Sequence, residues 1–439
     1  MDYQKELNLP FPLRDYQKTG VEFLTSNSSA LLGDDMGLGK TIQVIVSLKK
    51  IYSKTGIFRC LIVVPNSLKT NWLNEFRVWF PDAVVTDLTG DLENRSYTLE
   101  TYNGFVICTY EQLRSSFDVN HRIPPFDFVI YDEVQRLKNS SSQVYMSAYG
   151  VIAEKVWAMS GTPLENTVND IVNIFNLIKS GLIQKGLNAN EISSAISPYL
   201  LRRLKSDVLD ELPDLIEENV YIDLGTEQAK EYSDLYNTRL SIDGKDSAGL
   251  LALITELKKL ANFSEKTRKS AKLDYLKDLL KELMDKGEKV LIFSQYVKTL
   301  EFIEEELDYP TLMYHGGMSQ DEKDTTIKNF KTEDTNILLM SLMAGGVGLN
   351  IQEASTVIIF DRWWNPAIES QAIARAHRMG RKDPVHAIKF VTSGTIEERI
   401  LQILHDKEDL FDFVIEGAVK KGNEKRLTQL LDLEDEDDE

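Results

Sequence analysis

The feature that most constrains this chain is a repeated alternation of short apolar runs and amphipathic stretches. Leu61–Val64, Phe105–Cys108, Phe128–Tyr131, Val156–Met159, Val290–Phe293, Ile337–Met340 and Val357–Phe360 are apolar throughout or nearly so, and each is bounded by polar or turn residues. A strand with no polar face must be covered on both sides, which is the situation of a strand inside a parallel sheet flanked by helices. Amphipathic segments follow, among them Leu68–Phe80, Lys298–Leu307 and Ala367–Arg378. The expected class is therefore α/β with parallel sheets. The runs fall in two groups, one before residue 165 and one after 288, with a charged, mostly helical region between them. We expect a first lobe over 1–200, a linker with helical protrusions over 201–272, a second lobe over 273–420 and a tail over 421–439.

A chain of 439 residues suits such a division, and 42% hydrophobic residues suffice for well-filled cores. No apolar run reaches the roughly 18 residues that would span a bilayer. Met1–Glu6 does not open like a secretory leader, so a soluble protein of the cytoplasm, or of the nucleus in a eukaryote, is expected. Cys60 and Cys108 are the only cysteines and sit at the edge of or within strand-like runs, where buried free thiols are expected. The net charge is −19, and the last nine residues hold seven carboxylates, so the body alone carries −19 + 7 = −12. That excludes bulk electrostatic coating of nucleic acid; any grip on it must come from local basic spots, backbone amides and helix N-termini. The acidic tail is expected to be disordered.

Asp34-Asp35-Met36-Gly37-Leu38-Gly39-Lys40-Thr41 follows the apolar Ala30-Leu31-Leu32 and opens a helical pattern. A strand, glycine loop and helix in this order crowd backbone N–H groups and a helix N-terminus around phosphate oxygens. Lys40 would reach the terminal phosphates and Thr41 would place a hydroxyl on Mg2+. The generic pattern has glycine where this chain has Asp34. Further on, Phe128–Tyr131 runs into Asp132-Glu133, two carboxylates at the C-terminal end of an apolar strand, where open α/β sheets bind ligands. Asp132 can complete a Mg2+ shell and Glu133 can orient and deprotonate an attacking water. In the second group, Arg375 and Arg378 lie three apart on an expected helix, where they would share a face and could neutralise a transferring phosphoryl group.

With these motifs in order, the chain resembles the SWI/SNF-type ATPases, the chromatin-remodeller-like branch of helicase superfamily two. The resemblance runs from Leu13 to about Asp406. Leu13-Arg14-Asp15-Tyr16-Gln17 resembles the adenine-reading opening, and the family's own phosphate loop includes the aspartate at position 34. Val63–Leu68 with Asn71, Trp72 and Glu75, then Thr109-Tyr110-Glu111 and Ser160–Asn166, resemble the motifs that follow. The most family-specific stretch is Leu201-Arg202-Arg203 with Lys205, Asp207-Val208 and Leu212-Pro213. Leu291–Tyr296, Gly345–Asn350, Asp361–Pro366 and Gln371–Gly380 complete the set.

The resemblance implies two tandem RecA-like lobes that close on ATP and Mg2+ and move along double-stranded DNA. It implies Gln17, Asp35, Met36, Gly37, Leu38, Gly39, Lys40, Thr41, Gly348, Arg375 and Arg378 at the nucleotide, with Lys40, Glu133, Arg375 and Arg378 in catalysis and Thr41 and Asp132 at the metal. It implies DNA contacts at Lys69, Thr109, Arg136, Lys138, Ser294, His315, Ser341 and Trp364, with Lys258–Lys272 as a further basic candidate. The expectation is a minimal monomeric motor without accessory modules, open to recruitment by a protein partner. A strand-separating helicase and a non-catalytic DNA-binding scaffold are the alternatives. One departure stands out: Val134-Gln135 replaces the family's Ala-His after the acidic pair.

Overall fold

The computed structural model describes residues 3–56, 58–116, 123–161, 168–184, 187, 189–208, 214–241, 247–332, 335–342, 349, 351–363, 366–378, 381 and 383–402. The chain divides into two compact units between residues 210 and 211. Each is a parallel α/β lobe.

In the first unit the strands are β1 (Ser29–Leu32), β2 (Cys60–Val64), β3 (Val85–Asp87), β4 (Phe105–Thr109), β5 (Phe126–Tyr131), β6 (Ala153–Met159) and β7 (Leu200–Leu201). They lie in the order β3-β4-β2-β5-β6-β1-β7, and every described pairing is parallel. In the second unit β8 (Leu215–Ile222), β9 (Val290–Ser294), β10 (Thr311–Tyr314), β11 (Ile337–Ser341), β12 (Thr356–Ile359) and β13 (Val385–Thr392) form a sheet ordered β10-β11-β9-β12-β13-β8, again parallel. The stretch between the two expected lobes thus gives β7 to the first sheet and β8 to the second.

The apolar runs form interior strands because both their faces are filled. Residues of β2 alternate between two clusters: Cys60, Ile62 and Val64 pack with Trp72, Phe76 and Phe105, whereas Leu61 and Val63 pack with Cys108, Leu113 and Tyr131. Each such side chain contributes roughly 1.5–3 kcal/mol by leaving water. Cys60 and Cys108 are both buried free thiols on opposite faces of this sheet. The second unit repeats the design, with Ile292 on one face of β9 and Leu291 and Phe293 on the other. Among the described residues no helix is long and apolar enough to cross a membrane.

One expectation is corrected. The helix foreseen over Ala367–Arg378 runs from Pro366 to Ile373 and stops short of both arginines. Beyond Ile373 the backbone tightens: Arg375 N donates to Ala372 O at 3.1 Å and Ala376 N to Ile373 O at 3.1 Å. The Arg375 carbonyl leaves the helical ladder and accepts from Ile351 N at 3.0 Å. Arg375 and Arg378 therefore project from a turn, not from one helix face.

Candidate nucleotide site

The phosphate loop leaves β1 at Leu32 and ends at Gly39, which caps the helix Lys40–Thr55. Gly37 and Gly39 have φ of 86° and 72°, the left-handed region where a side chain is strained. Gly39 is doubly constrained, since a Cβ there would stand 2.7 Å from Gln17 Nε2. Gln17 is buried, with its Oε1 accepting from Arg14 N at 3.0 Å and its Nε2 reaching Leu38 O at 3.5 Å. The residue expected at the adenine thus packs on the loop expected at the phosphates. Lys40 folds back over that loop, donating from Nζ to the carbonyls of Asp34 at 2.7 Å and Asp35 at 3.2 Å. Burial lowers its pKa, against the opposing pull of Glu133, Asp34, Asp132 and Asp35. Gly161, after β6, leaves room for Met36 and Lys40: a Cβ there would lie 2.6 Å from Met36 Cγ and 3.4 Å from Lys40 Nζ.

Asp132 and Glu133 follow β5 as the sequence places them. Asp132 is buried, with Oδ2 accepting from Trp72 Nε1 at 2.7 Å and Oδ1 from Glu133 N at 2.9 Å. Tyr110 donates its hydroxyl to the Asp132 carbonyl at 2.6 Å. Burial and the adjacent Glu133 carboxylate push the Asp132 pKa up to about 7, with the Trp72 bond and Lys40 pulling the other way. Glu133 has φ of 51°, uncommon for a residue with a side chain. Its Oε2 accepts from Gln135 Nε2 at 2.6 Å, and Gln135 Oε1 accepts from Ser160 Oγ at 2.8 Å. A buried carboxylate whose charge is disfavoured gains from a nearby cation. The donor set of Asp132 and the part-exposed Thr41, beside a loop of left-handed glycines and the half-buried Lys40, fits a triphosphate with a divalent ion.

Trp72, Tyr110, Gln135 and Ser160 brace the acidic pair, and reading single motifs in turn did not assign them that part. Trp72 and Tyr110 lie 60 and 22 residues from Asp132 and Ser160 lies 25 from Gln135, so one sequence holds no local signal for those contacts, whereas Gln135 is two residues from Glu133. In the second unit Arg375 is buried and Arg378 half-buried. Gly348 lies outside the described residues.

Comparison with known proteins bears on this geometry. The SNF2-related domain matches residues 16–272, more than half of the chain, and the helicase conserved C-terminal domain matches 271–380. The chain belongs to the SNF2-related family.

Its two matches pair an SNF2-related domain with a helicase C-terminal domain, a helicase-like make-up. An uncharacterized ATP-dependent helicase of Mycoplasma pneumoniae is 31% identical over 431 residues, covering 91% of this chain and 42% of the relative. The ISWI chromatin-remodeling complex ATPase ISW2 of Saccharomyces cerevisiae is 31% identical over 480 residues, covering 96% and 43%. The chain thus spans less than half the length of either relative. A solved SWI2/SNF2 ATPase core of Sulfolobus solfataricus in complex with dsDNA is 29% identical, covers 93% of this chain and 94% of its own, and has a TM-score of 0.45.

The positions expected to touch DNA in this SNF2-related chain are of two kinds. Lys69, Arg136, Lys138 and His315 keep solvent access. Lys69 pairs with Asp87, and Arg136 stands 3.8 Å from Glu111. The Nδ1 of His315 accepts from Gly317 N at 3.2 Å. Thr109, Ser294 and Ser341 are buried at strand ends. Thr109 Oγ1 accepts from Gln112 N at 3.1 Å, and Ser294 donates to Asp361. Trp364 lies outside the described residues. The basic segment 258–272 is corrected at its two ends only: Lys258 and Lys272 are 1% and 0% exposed, whereas Lys266, Arg268 and Lys269 are exposed and Lys259 is half-buried. Lys272 Nζ bonds Glu397 at 2.6 Å, Phe360 O at 2.8 Å and Asn262 at 3.1 Å, while Arg268 pairs with Glu305 and Glu306. Lys258 and Lys272 sit on two different helices, Ser247–Asn262 and Ala271–Asp285, and each turns its ammonium inward, Lys258 to Gln295 Oε1 at 3.1 Å.

Proposed function

We propose that this chain is an ATP-driven motor that moves along double-stranded DNA and remodels or displaces protein–DNA complexes. The reading is supported by one observation above the rest: Lys40 folds back over the glycine loop onto the carbonyls of Asp34 and Asp35, with the charges of Glu133 and Asp132 favouring its ammonium, in a chain of the SNF2-related family. Family membership and the remodelling named for the ISW2 relative support the duplex as track and bound proteins as cargo.

Lys40 would exchange its bonds to the loop carbonyls for the terminal phosphates, and the loop's N–H groups would hold the remaining oxygens. Asp132 and Thr41 would hold Mg2+, which when bound draws charge from the phosphoryl group being transferred. Glu133 would orient the attacking water and take its proton, fixed in aim by Gln135. Arg375 and Arg378 of the second lobe would neutralise charge that builds on the γ-phosphoryl group, so hydrolysis waits on lobe closure. Contacts to DNA would fall on phosphates through Lys69, Arg136, Lys138 and His315, because a motor must ignore sequence.

The test is phosphate release by wild type, Lys40→Ala, Glu133→Gln and Arg378→Ala with blunt duplex, forked duplex, single-stranded DNA or RNA. Blunt duplex is expected to stimulate most, and each variant is expected to lose turnover. Wild-type turnover in any variant overturns the assigned roles. Stimulation by forked DNA or RNA alone, with strand displacement, would replace the translocase with a strand-separating helicase.

A further inference from the structure

The aspartate that sets this phosphate loop apart from the generic glycine pattern has a partner far along the chain. Asp34 is fully buried, and the guanidinium of Arg203 clasps it, with Nε donating to Oδ1 at 2.9 Å and Nη2 to Oδ2. The fork does not stop there. Nη2 also donates to Gln43 Oε1 at 2.9 Å, and Nη1 donates to the Tyr16 carbonyl. Gln43 Nε2 closes the ring on Asp34 Oδ2 at 3.1 Å and on Leu38 O at 3.2 Å. Gly20 makes way for this cluster, since a Cβ there would stand 1.7 Å from Gln43 Oε1. One arginine thus touches the helix that carries Gln17, the phosphate loop and the helix that follows it.

The backbone joins the same two segments. β7 pairs with β1, and the ladder continues past both strands: Gly33 N donates to Leu201 O at 2.7 Å and Asp35 N to Arg203 O at 3.0 Å. Lys205 N then donates to Asp35 Oδ2 at 3.0 Å. From Lys205 the chain runs on to β8, which belongs to the second sheet.

We propose that Arg203 is a positioning residue of the nucleotide site. Acting through Asp34, it sets the phosphate loop and binds it to the tether of residues 201–208 that leads into the second lobe, so that nucleotide occupancy and tether order are coupled. This rests on the ATP-site reading above. A buried aspartate in a phosphate loop is a liability unless a cation meets it, and a bidentate arginine meets it in a fixed geometry that a lysine does not reproduce.

The experiment pairs steady-state kinetics with hydrogen exchange, using ADP as the probe, on wild type, Arg203→Lys, Arg203→Met and the double variant Asp34→Leu with Arg203→Met. In wild type, ADP is expected to slow exchange in peptides covering 33–43 and 200–208 together. In Arg203→Met the ATP KM is expected to rise about 10-fold or more, while kcat at saturating ATP changes far less. ADP should still protect 33–43 in that variant but no longer 200–208, and Arg203→Lys should fall between. The double variant removes both buried charges, which proteins tolerate better than removing one, and it decides the matter if Arg203→Met does not fold. A folded Arg203→Met or double variant with KM within about twofold of wild type and ADP protection of 200–208 retained overturns the proposal. Wild type without any ATPase overturns the underlying reading instead.

Discussion

Gln135 donates its side-chain amide to Glu133 Oε2 at 2.6 Å. The other end of that amide accepts from Ser160 Oγ at 2.8 Å, so one neutral side chain spans the acidic pair and the end of β6. Glutamine offers a donor and an acceptor at every pH, whereas histidine does so only when neutral. Gln135→Leu removes both bonds and should lower kcat by roughly 10- to 100-fold with the lobe still folded. Gln135→His should keep activity at pH 8 and lose it as pH falls through about 6.5, because the imidazolium has no acceptor for Ser160. Rate profiles of wild type and Gln135→His from pH 5.5 to 8.5 check this. Superimposable acid limbs would show that the bridge does not serve turnover.

The legibility of this molecule follows burial. The seven apolar runs named at the outset lie inside β2, β4, β5, β6, β9, β11 and, shifted by one residue, β12, where both faces are covered. Four strands that carry no such run, β3, β7, β8 and β10, are the sheet edges. An edge strand keeps solvent access, and its sequence mixes polar residues with apolar ones: β8 reads Leu-Ile-Glu-Glu-Asn-Val-Tyr-Ile. β13 is interior yet was hidden by His386 and Lys389, the latter reaching Glu217 on the neighbouring strand. At the site, the glycine loop and Asp132-Glu133 are contiguous and so could be read. The contact of Trp72 with Asp132 joins residues 60 apart, and that of Arg203 with Asp34 residues 169 apart, which no local pattern encodes.

The Trp72 indole is the one side chain that donates to Asp132 Oδ2 among the described bonds. It is fully buried and also lies against Phe76, with ring centroids 6.2 Å apart. Trp72→Phe keeps an aromatic ring but deletes the N–H. The freed carboxylate loses a bond to its charged form, which weakens it as a metal ligand. The Mg2+ concentration for half-maximal ATPase should rise about 10-fold, with nucleotide binding measured without Mg2+ little changed. A Mg2+ titration of ATPase in both proteins is the check. An unchanged midpoint in the variant would remove Trp72 from the site.

Burial pushes the Cys108 thiol up to about 12 and Cys60 well above its ordinary value. The thiolate is the reactive form, so at pH 8 Cys108 is ionised in only about one molecule in 10⁴. Both side chains are also sealed in the sheet's two faces. A chromogenic disulfide reagent should find no thiol in the native protein over an hour and two after denaturation. Rapid native labelling at either position would mean that the first lobe opens far more often than its packing implies.

Lys258 is a buried cation that binds Gln295 Oε1 at 3.1 Å. Burial lowers its pKa to about 8, although Asp361, Glu397 and Glu369 favour the charge; Lys272 adds to the lowering. An unfolded lysine titrates near 10.4. Between pH 8 and about 10 the unfolded chain therefore holds a proton that the folded lobe has released, and stability from this group increases with pH across that window. Below pH 8 the charged, buried ammonium is a net cost. Lys258→Met abolishes the titration, so its melting temperature relative to wild type should be most favourable near pH 7 and fall by several degrees toward pH 10. Paired thermal melts in matched buffers give that difference directly, since other titrations are common to both proteins. A gap that stays constant from pH 7 to 10 would mean that Lys258 keeps an ordinary pKa in the folded lobe, and so that water reaches its ammonium.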